Sequence, residues 1–313
     1  MKHVRLFAIL SDRDEVSDFR QDYPQQSAAL NFLALDSLLH RHVHANVTSA
    51  GQLMRLHGSG CWEPQRTMSA IKKFVGLEAL HQRGCAYGWV LDSESMPLRN
   101  FTFTTIFEEF EANPRILATN MRHPLVAPNR RHTLLTHCAE RGLGLKPDVA
   151  HHSHRTVDWW MWSLKDVVDL MAHVSSVHRQ PFLHGFLHHP ASDPIYYGLY
   201  VQHIAPHNAF ALSPVKHTIM SIPEVLIESD LAPNQRINDE LSRDIWTCND
   251  KDSPWRSTQK QRILSGPLKW VHGWRFDGLE CKDKRHSSAQ QLLKASPSVM
   301  WATSNFREQV MTP

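Results

Sequence analysis

The run from Tyr87 to Ser95 constrains the fold most, because an aromatic and apolar stretch leads directly into two carboxylates one residue apart. The stretch is typical of a buried strand, and Asp92 and Glu94 follow at the place where that strand would end. In an α/β sheet the ligand crevice lies outside the carboxyl ends of the strands. Carboxylate oxygens suit Mg²⁺ or Mn²⁺, so the pattern predicts a metal-nucleotide site at Asp92 and Glu94.

Composition excludes several classes of protein. A chain of 313 residues that is 42% hydrophobic and 21% charged can bury a sizeable core. Its net charge is only +3 and its basic residues are scattered, which argues against nucleic acid as a partner. No apolar run approaches the roughly 20 residues that span a bilayer, and the N-terminus lacks a signal-peptide pattern. We therefore expect a cytoplasmic protein without a transmembrane segment.

The cysteines predict neither a disulfide framework nor a cysteine-type zinc site. They are odd in number, widely spaced, and never form a Cys-x-x-Cys pair. The five positions are Cys61, Cys85, Cys138, Cys248 and Cys281. The 22 histidines are unusually many, and because free imidazole titrates near ~6.5, the net charge should rise steeply below neutral pH.

The first part of the chain alternates strand and helix signals, as a parallel α/β sheet would. Apolar residues at helical spacing between Thr67 and Gln82 indicate a helix, and Gly84 is placed to end it. The other predicted elements here are a strand from Val4 to Leu10, a helix from Leu30 to Leu39, a strand from Val43 to Thr48 and the strand that begins at Tyr87.

The second part is less regular. Prolines and polar residues between His123 and Arg131 indicate a loop, and the polar stretch from Asn234 to Lys260 is predicted to be mobile. Asp193 precedes a proline and an aromatic run, which predicts that it lies near the start of a helix. The remaining predicted elements are a helix from Phe101 to Glu111, a strand from Arg115 to Thr119 and a helix from Asp158 to His173.

The order of these features resembles that of the GT-A-fold nucleotide-sugar glycosyltransferases, especially the small soluble members found in bacteria and large algal viruses. The shared features are a first strand with Asp12 in its loop, a lysine-bearing helix, Asp92 with Glu94, an acid before an aromatic helix, and the Val-His-Gly-Trp stretch around His272. Asp92 and Glu94 match the two acidic places of the family's Asp-x-Asp signature. Glu94 departs from it, because its longer side chain shifts the ligating oxygens and alters metal preference.

The resemblance implies an α/β fold with a GT-A-like, Rossmann-type mixed sheet flanked by helices. It implies a single domain over residues 1–313, although the likeness in pattern covers only about the first 125 residues. Residues 1–125 would form the nucleotide-sugar-binding half. Residues 126–313 would form the acceptor-binding half and a C-terminal extension.

The resemblance also implies how the donor and its metal would be held. Asp92, Glu94 and His272 would bind Mn²⁺ or Mg²⁺, and Ser93 between the two acids would contact the donor. Asp12 would lie near the nucleobase or ribose. The implied donor is a nucleotide sugar, either a UDP-sugar or a GDP-sugar, and the acceptor is a glycan or another hydroxyl compound.

The resemblance implies roles for three further residues, which the chemistry of sugar transfer explains. Negative charge grows on the departing diphosphate, and the ammonium group of Lys72 or Lys73 would neutralise it. If the reaction inverts the anomeric centre, Asp193 would be the catalytic base that takes the acceptor proton. Each has a simpler interpretation: the lysines as a solvated helix face, and Asp193 as a helix cap or turn residue.

Two other functions remain open. His151, His152 and His154 with Asp158 form a cluster that suits a zinc or two-metal hydrolase, although the His-Glu-x-x-His pattern is absent. The departure at Glu94 instead favours a noncatalytic protein that binds nucleotide sugars or glycans and has kept the fold without the chemistry.

Overall fold

The structure is a computed structural model, and the chain forms two compact units. It describes residues 4–57, 61–90, 95–97, 102–112, 115–120, 130–146, 154–156, 161–205, 211–214, 219–220, 270–274 and 301–304. The first unit comprises Met1–Val90, Phe103–Ile116 and Asn129–Ala211, and the second comprises Leu91–Thr102, Leu117–Pro128 and Leu212–Pro313. That both units belong to one domain stays a prediction.

The described residues form ten helices and eleven short strands. The helices are α1 (Arg13–Asp22), α2 (Pro24–Ser27), α3 (Asp36–Leu39), α4 (Ala50–Met54), α5 (Pro64–Gln82), α6 (Phe103–Ala112), α7 (Arg130–Gly142), α8 (Leu164–His178), α9 (Phe182–His188) and α10 (Asp193–His203). The strands are β1 (Phe7–Leu10), β2 (Asn31–Ala34), β3 (Tyr87–Trp89), β4 (Ser95–Pro97), β5 (Arg115–Asn120), β6 (His154–Thr156), β7 (Met161–Ser163), β8 (Ala211–Pro214), β9 (Ile219–Met220), β10 (Trp270–Trp274) and β11 (Trp301–Ser304).

The described strands form four small sheets. In the first unit β1 pairs with β2 in parallel, and β3 pairs with β7 in antiparallel orientation. In the second unit the order is β4-β11-β10-β9, and the fourth sheet has the order β6-β5-β8. The mixed α/β class is therefore confirmed, whereas a single GT-A-like sheet is not seen among the described strands and stays a prediction.

Helix α5 is the central element of the first unit. It begins with Pro64, whose fixed φ suits the first helical position, and it ends where Gly84 adopts a φ of +80°. There the amide of Gly84 donates to His81 and the amide of Cys85 donates to Leu80, which satisfies two of the last carbonyl groups. Both the predicted helix and its glycine stop are confirmed.

The main hydrophobic core lies among α5 and helices α7 to α10. Phe74 of α5 is fully buried, and its ring centroid lies 5.5 to 6.4 Å from the rings of Trp162, Phe182, Phe186 and Tyr196. Replacing such a phenylalanine by alanine typically costs about 3 to 5 kcal/mol. The aromatic packing thus fixes α5 relative to α9 and α10, and with it the side chains on the remaining faces of α5.

A disulfide between Cys61 and Cys138 corrects the expectation drawn from the cysteine spacing. Its sulfur atoms lie 2.05 Å apart, and the two Cα atoms lie 6.2 Å apart. The two cysteines are separated by 77 residues in the sequence, so only the tertiary structure brings them together. Cys85 is a free, partly exposed thiol.

Three predicted elements were wrong in whole or in part. The segment from Leu30 to Leu39 forms β2 and the short helix α3 rather than one helix, and the segment from Val43 to Thr48 forms turns. In the predicted helix from Asp158 to His173, residues 161–163 form β7 and α8 begins only at Leu164. The second helix is thus confirmed from Leu164 onward and wrong only in its first residues. In both segments, pairing with another strand outweighed an apolar spacing that also suits a helix.

The other predicted elements agree with the structure where it describes them. Four of them are confirmed, with their ends displaced by at most a few residues. They are the strands β1 and β5 and the helices α6 and α10. The polar stretch from Asn234 to Lys260 lies outside the described residues. Within the described parts of the chain, every helix is too short or too polar to span a lipid bilayer.

Candidate functional site

Asp12 lies at the carboxyl end of β1, where it caps the first helix. Its Oδ1 accepts a hydrogen bond of 2.8 Å from the amide of Glu15, and Glu15 in turn accepts one from the amide of Ser11. This exchange satisfies donors that a helix N-terminus leaves without an intrahelical acceptor. Asp12 therefore has an architectural role, and its predicted contact with a nucleobase or ribose stays a prediction.

Lys72 reaches the same end of β1 from the middle of α5. Its Nζ lies 4.0 Å from Oε2 of Glu15, and both side chains are partly exposed to solvent. An ion pair of this length and exposure contributes at most about 1 kcal/mol. The ammonium group of Lys72 can thus leave Glu15 and bind another anion at little cost in free energy.

Lys73, the next residue of α5, contacts Asp193 instead. Its Nζ lies 3.4 Å from Oδ2 of Asp193, and the side chains are only 15% and 4% exposed, respectively. The distance is that of an ion pair rather than of a short charge-assisted hydrogen bond. Lys73 therefore contacts the residue predicted to be the base, whereas the sequence predicted a contact with the donor diphosphate.

The local sequence explains why Asp193 is buried at the start of α10. Pro194 suits the first turn, and Ser192 before it makes no side-chain capping bond. The carboxylate of Asp193 thus lies at the positive end of the helix dipole, which favours its ionised form. The following Tyr196 and Tyr197 are buried and anchor α10 in the core.

The two tyrosines hold α10 by their hydroxyl groups as well as by their rings. The hydroxyl of Tyr196 donates to the carbonyl oxygen of His189 at 2.7 Å, and the hydroxyl of Tyr197 accepts from the amide of Ser163 at 3.1 Å. The ring of Tyr197 stacks on Trp162 with centroids 4.4 Å apart. Burial raises the pKa of both phenols above the ordinary value, so they remain neutral donors and acceptors.

The remaining predicted site residues lie outside the described residues or in the second unit. Asp92, Ser93 and Glu94 lie outside the described residues. His272 lies in β10 of the second unit, where its backbone is paired with Thr303 of β11. The metal site therefore stays a prediction.

A buried histidine-glutamate pair was missed at the sequence level. Nε2 of His42 lies 2.7 Å from Oε2 of Glu78, and both side chains are largely buried. Burial alone would raise the pKa of Glu78, but the hydrogen bond and charge of His42 outweigh it and leave the pKa below its ordinary value. Arg41 and Gln82 lower the same pKa further. One signal was present: Glu78 is the only acidic residue of α5 and lies between Leu77 and Ala79.

The histidine cluster of the alternative hydrolase lies largely outside the described residues. His151, His152 and Asp158 are not described, and His154 lies in β6. Among the residues that are described, no three histidine, cysteine, aspartate or glutamate side chains are grouped in a way that could hold a metal ion. The hydrolase stays a prediction.

Comparison of the chain with protein-family models, curated proteins and solved structures found no match.

Proposed function

We propose that the protein is a GT-A-type glycosyltransferase that moves a sugar from a nucleoside diphosphate to a glycan or another hydroxyl acceptor. The donor would be a UDP-sugar or a GDP-sugar, and the proposed location is the cytoplasm. The supporting observation is that α5 reaches two other regions with predicted site residues: Lys72 lies beside Glu15, whose amide is capped by Asp12, and Lys73 lies beside Asp193. These residues come from three separate parts of the sequence.

The parallel pair of β1 and β2 supports the donor part of the proposal. The chain passes from β1 through α1 and α2 to β2, so the loop after β1 lies at the edge where α/β proteins bind nucleotides. Lys72 supplies a cation at that edge through a weak, partly exposed contact. An ammonium group there would stabilise the negative charge that grows on a departing diphosphate.

Asp193 supports the acceptor part. In an inverting transfer the acceptor oxygen forms a bond to the anomeric carbon, and the bond from that carbon to the diphosphate oxygen breaks. The bonding electrons leave with the diphosphate, while the acceptor proton passes to a carboxylate. A positioned base of this kind contributes about 10² to 10⁴ in rate. We assign that role to Asp193.

The cofactor would be Mn²⁺ or Mg²⁺, bound by Asp92, Glu94 and His272, with Ser93 contacting the donor. When bound, such a cation neutralises charge on the leaving diphosphate as a Lewis acid. A ligand that binds only the folded protein raises its stability by about 2.7 kcal/mol at one hundred times Kd. We therefore expect a thermal shift with a UDP- or GDP-sugar in the presence of Mn²⁺, and a smaller shift without the metal.

Variants decide the assignment. Asp92→Ala and Glu94→Ala should abolish the Mn²⁺-dependent shift and donor turnover, whereas Asp193→Asn should retain the shift and lose transfer to the acceptor. Full turnover in the Asp92 or Glu94 variant would refute the metal assignment. If the wild-type protein binds the donor but does not turn it over, the noncatalytic alternative is favoured. A purely structural role for the Lys73–Asp193 contact would agree with that alternative.

The cytoplasmic location has its own test. Disulfides are rare in the cytosol, so the bridge between Cys61 and Cys138 opposes this part of the proposal. Peptide mapping of the protein, alkylated at once on extraction from its native cells, should find these two thiols reduced if the location is correct. A bridge already present at extraction would contradict it.

A further inference from the structure

Two consecutive lysines of α5 contact different elements of the first unit. Successive residues of an α-helix point about 100° apart around its axis, so Lys72 and Lys73 cannot share one partner easily. Lys72 lies 4.0 Å from Glu15 near the end of β1, and Lys73 lies 3.4 Å from Asp193 at the start of α10. Their different partners suggest different functions.

The two pairs also differ in burial. The side chain of Lys72 is 25% exposed and that of Glu15 is 46% exposed, whereas the Lys73–Asp193 pair is much more buried. A buried carboxylate is strongly destabilised unless a cation or hydrogen bonds compensate for its lost hydration. For Asp193 the ammonium of Lys73 and the positive end of α10 both contribute to this compensation.

We propose that Lys73 is a positioning residue that keeps the carboxylate of Asp193 ionised and fixed at the start of α10. The pairing removes Lys73 from the donor site and leaves Lys72 as the diphosphate-binding lysine. The consequence for transfer rests on the proposed function, because Asp193 can take an acceptor proton only while it is ionised. The electrostatic coupling of Lys73 to Asp193 does not rest on any activity.

The first experiment measures that coupling without substrate. We would compare the unfolding equilibrium constants of the wild type, Lys73→Met, Asp193→Asn and the double variant in urea. Lys73→Met leaves a buried carboxylate without its cation, so it should raise the unfolding constant about 10²- to 10³-fold. The double variant should recover much of that loss, because neither charge remains.

Two further variants serve as controls. Lys73→Arg retains the cation and should retain most of the stability, whereas Lys72→Met removes an exposed pair and should change the unfolding constant less than about fivefold. If Lys73→Met does not fold but the double variant does, the coupling is demonstrated in a stronger form. Additive effects of the two substitutions, or a double variant that also fails to fold, would overturn the proposal.

The second experiment uses transfer activity. Lys73→Met should move the acidic limb of the kcat profile to higher pH, because Asp193 then holds its proton more tightly, and Lys73→Arg should restore the profile. Lys72→Met should instead raise KM for the donor and leave the acidic limb in place. An unchanged limb in an active Lys73→Met variant would contradict the positioning role. Absence of transfer in the wild type would contradict the proposed function, while the coupling measurement still decides the role of Lys73.

Discussion

Asp12 stabilises the start of α1 through its side-chain carboxylate. Its Oδ1 accepts a hydrogen bond of 2.8 Å from the amide of Glu15, and this bond caps the N-terminus of α1 directly after β1. Aspartate and asparagine are about equally good at this position, because both present an acceptor oxygen to the helix amides. Only aspartate adds a negative charge. The two contributions can therefore be separated by substitution.

We predict that Asp12→Ala lowers the free energy of unfolding by about 1 kcal/mol, because the cap is lost. The free energy of unfolding of Asp12→Asn should stay within a few tenths of a kcal/mol of the wild-type value, since the amide oxygen keeps the capping bond. If Asp12 also contacts the donor, as proposed, both variants should weaken the thermal shift by a UDP- or GDP-sugar. Equal donor shifts in Asp12→Asn and the wild type would limit the residue to its capping role.

Among the elements of the first unit, α5 approaches β1 closely at Gly76, beside the side chain of Ile9. A Cβ atom on Gly76 would lie 1.9 Å from Cδ1 of Ile9 and 3.0 Å from its Cγ1. No such contact can persist without movement of the isoleucine or of the helix. The absence of a side chain at Gly76 therefore allows the helix that carries Lys72 to lie against the strand that ends beside Asp12.

We predict that Gly76→Ala destabilises the protein although alanine is favoured over glycine by about 1 kcal/mol in a helix interior. Overpacking of a well-packed contact typically costs about 1 to 3 kcal/mol, which exceeds that gain. Ile9→Val removes Cδ1 and should rescue Gly76→Ala in urea unfolding. Gly51→Ala in α4 is a matched control, because a Cβ there meets nothing within 4 Å and should not destabilise. Simple additivity of the Ile9 and Gly76 changes would contradict the steric explanation.

Helix α5 could be predicted from sequence because its signals are local. Its apolar residues recur at helical spacing over 19 residues, and Gly84 marks its end within the same segment. The segment from Leu30 to Leu39 carries similar apolar spacing over a shorter length. There the backbone pairing of β2 with β1 decided the outcome, and that pairing joins residues more than 20 positions apart. Periodicity alone does not contain this information.

At the candidate site, too, local features could be predicted from sequence and long-range contacts could not. The start of a helix at Asp193 could be predicted from Pro194 and the aromatic run that follows. The contact of Lys73 with Asp193 could not, because 120 residues separate the two and only the packing of α10 beside α5 joins them. The pairing of His42 with Glu78 was missed for the same reason.

At the scale of the whole chain, the disulfide closes a large loop that includes all of α5. Cys61 and Cys138 are 77 residues apart, and Cys138 is fully buried. Closing a loop of that length restricts the unfolded chain and stabilises the folded state by about 4 kcal/mol in the chain-entropy model. We predict that a reducing agent lowers the free energy of unfolding by about this amount. Urea unfolding with and without dithiothreitol measures it.

A variant separates this effect from other consequences of reduction. The Cys61→Ala and Cys138→Ala double variant has no bridge to reduce, so its stability should be insensitive to dithiothreitol and close to that of the reduced wild type. Equal sensitivity of the double variant and the wild type would contradict the assigned pairing.

Acid should destabilise the first unit in two separate steps, and the first involves histidines. Burial lowers the pKa of His184, His189 and His203 below the ordinary value, and for His184 and His189 neighbouring cations lower the pKa further. A histidine with a lowered folded-state pKa binds fewer protons than in the unfolded chain. Its contribution to stability is therefore complete above the unfolded pKa of about 6.5 and is lost as the pH falls below that value.

The geometry identifies which histidines to change. The ring of His184 lies 4.3 Å from that of His44, and the ring of His189 lies 5.6 Å from that of His178. Burial is the largest cause of both lowered pKa values, and neighbouring charged groups add to it. For His184 these groups are His44 and His188, and for His189 they are His178, Arg141 and His188. Protonation thus places like charges close together within α9 and in the segments that pack beside it. We predict that the free energy of unfolding falls between pH 7 and pH 5 in the wild type.

The second step lies at lower pH and belongs to Glu78, whose pKa in the folded protein is lowered. Its contribution to stability is therefore complete above the ordinary pKa of a glutamate and is lost as the pH falls through the folded-state pKa. Urea unfolding across pH 3.5 to 7.5 should therefore show two declines in the free energy of unfolding, one between pH 7 and pH 5 and one at lower pH. The double variant His184→Gln and His189→Gln should flatten the decline between pH 7 and pH 5 and leave the lower step in place, because Gln does not titrate. Glu78→Gln should do the reverse. If the histidine variant loses stability between pH 7 and pH 5 as steeply as the wild type, these two imidazoles are not the groups that bind protons on unfolding.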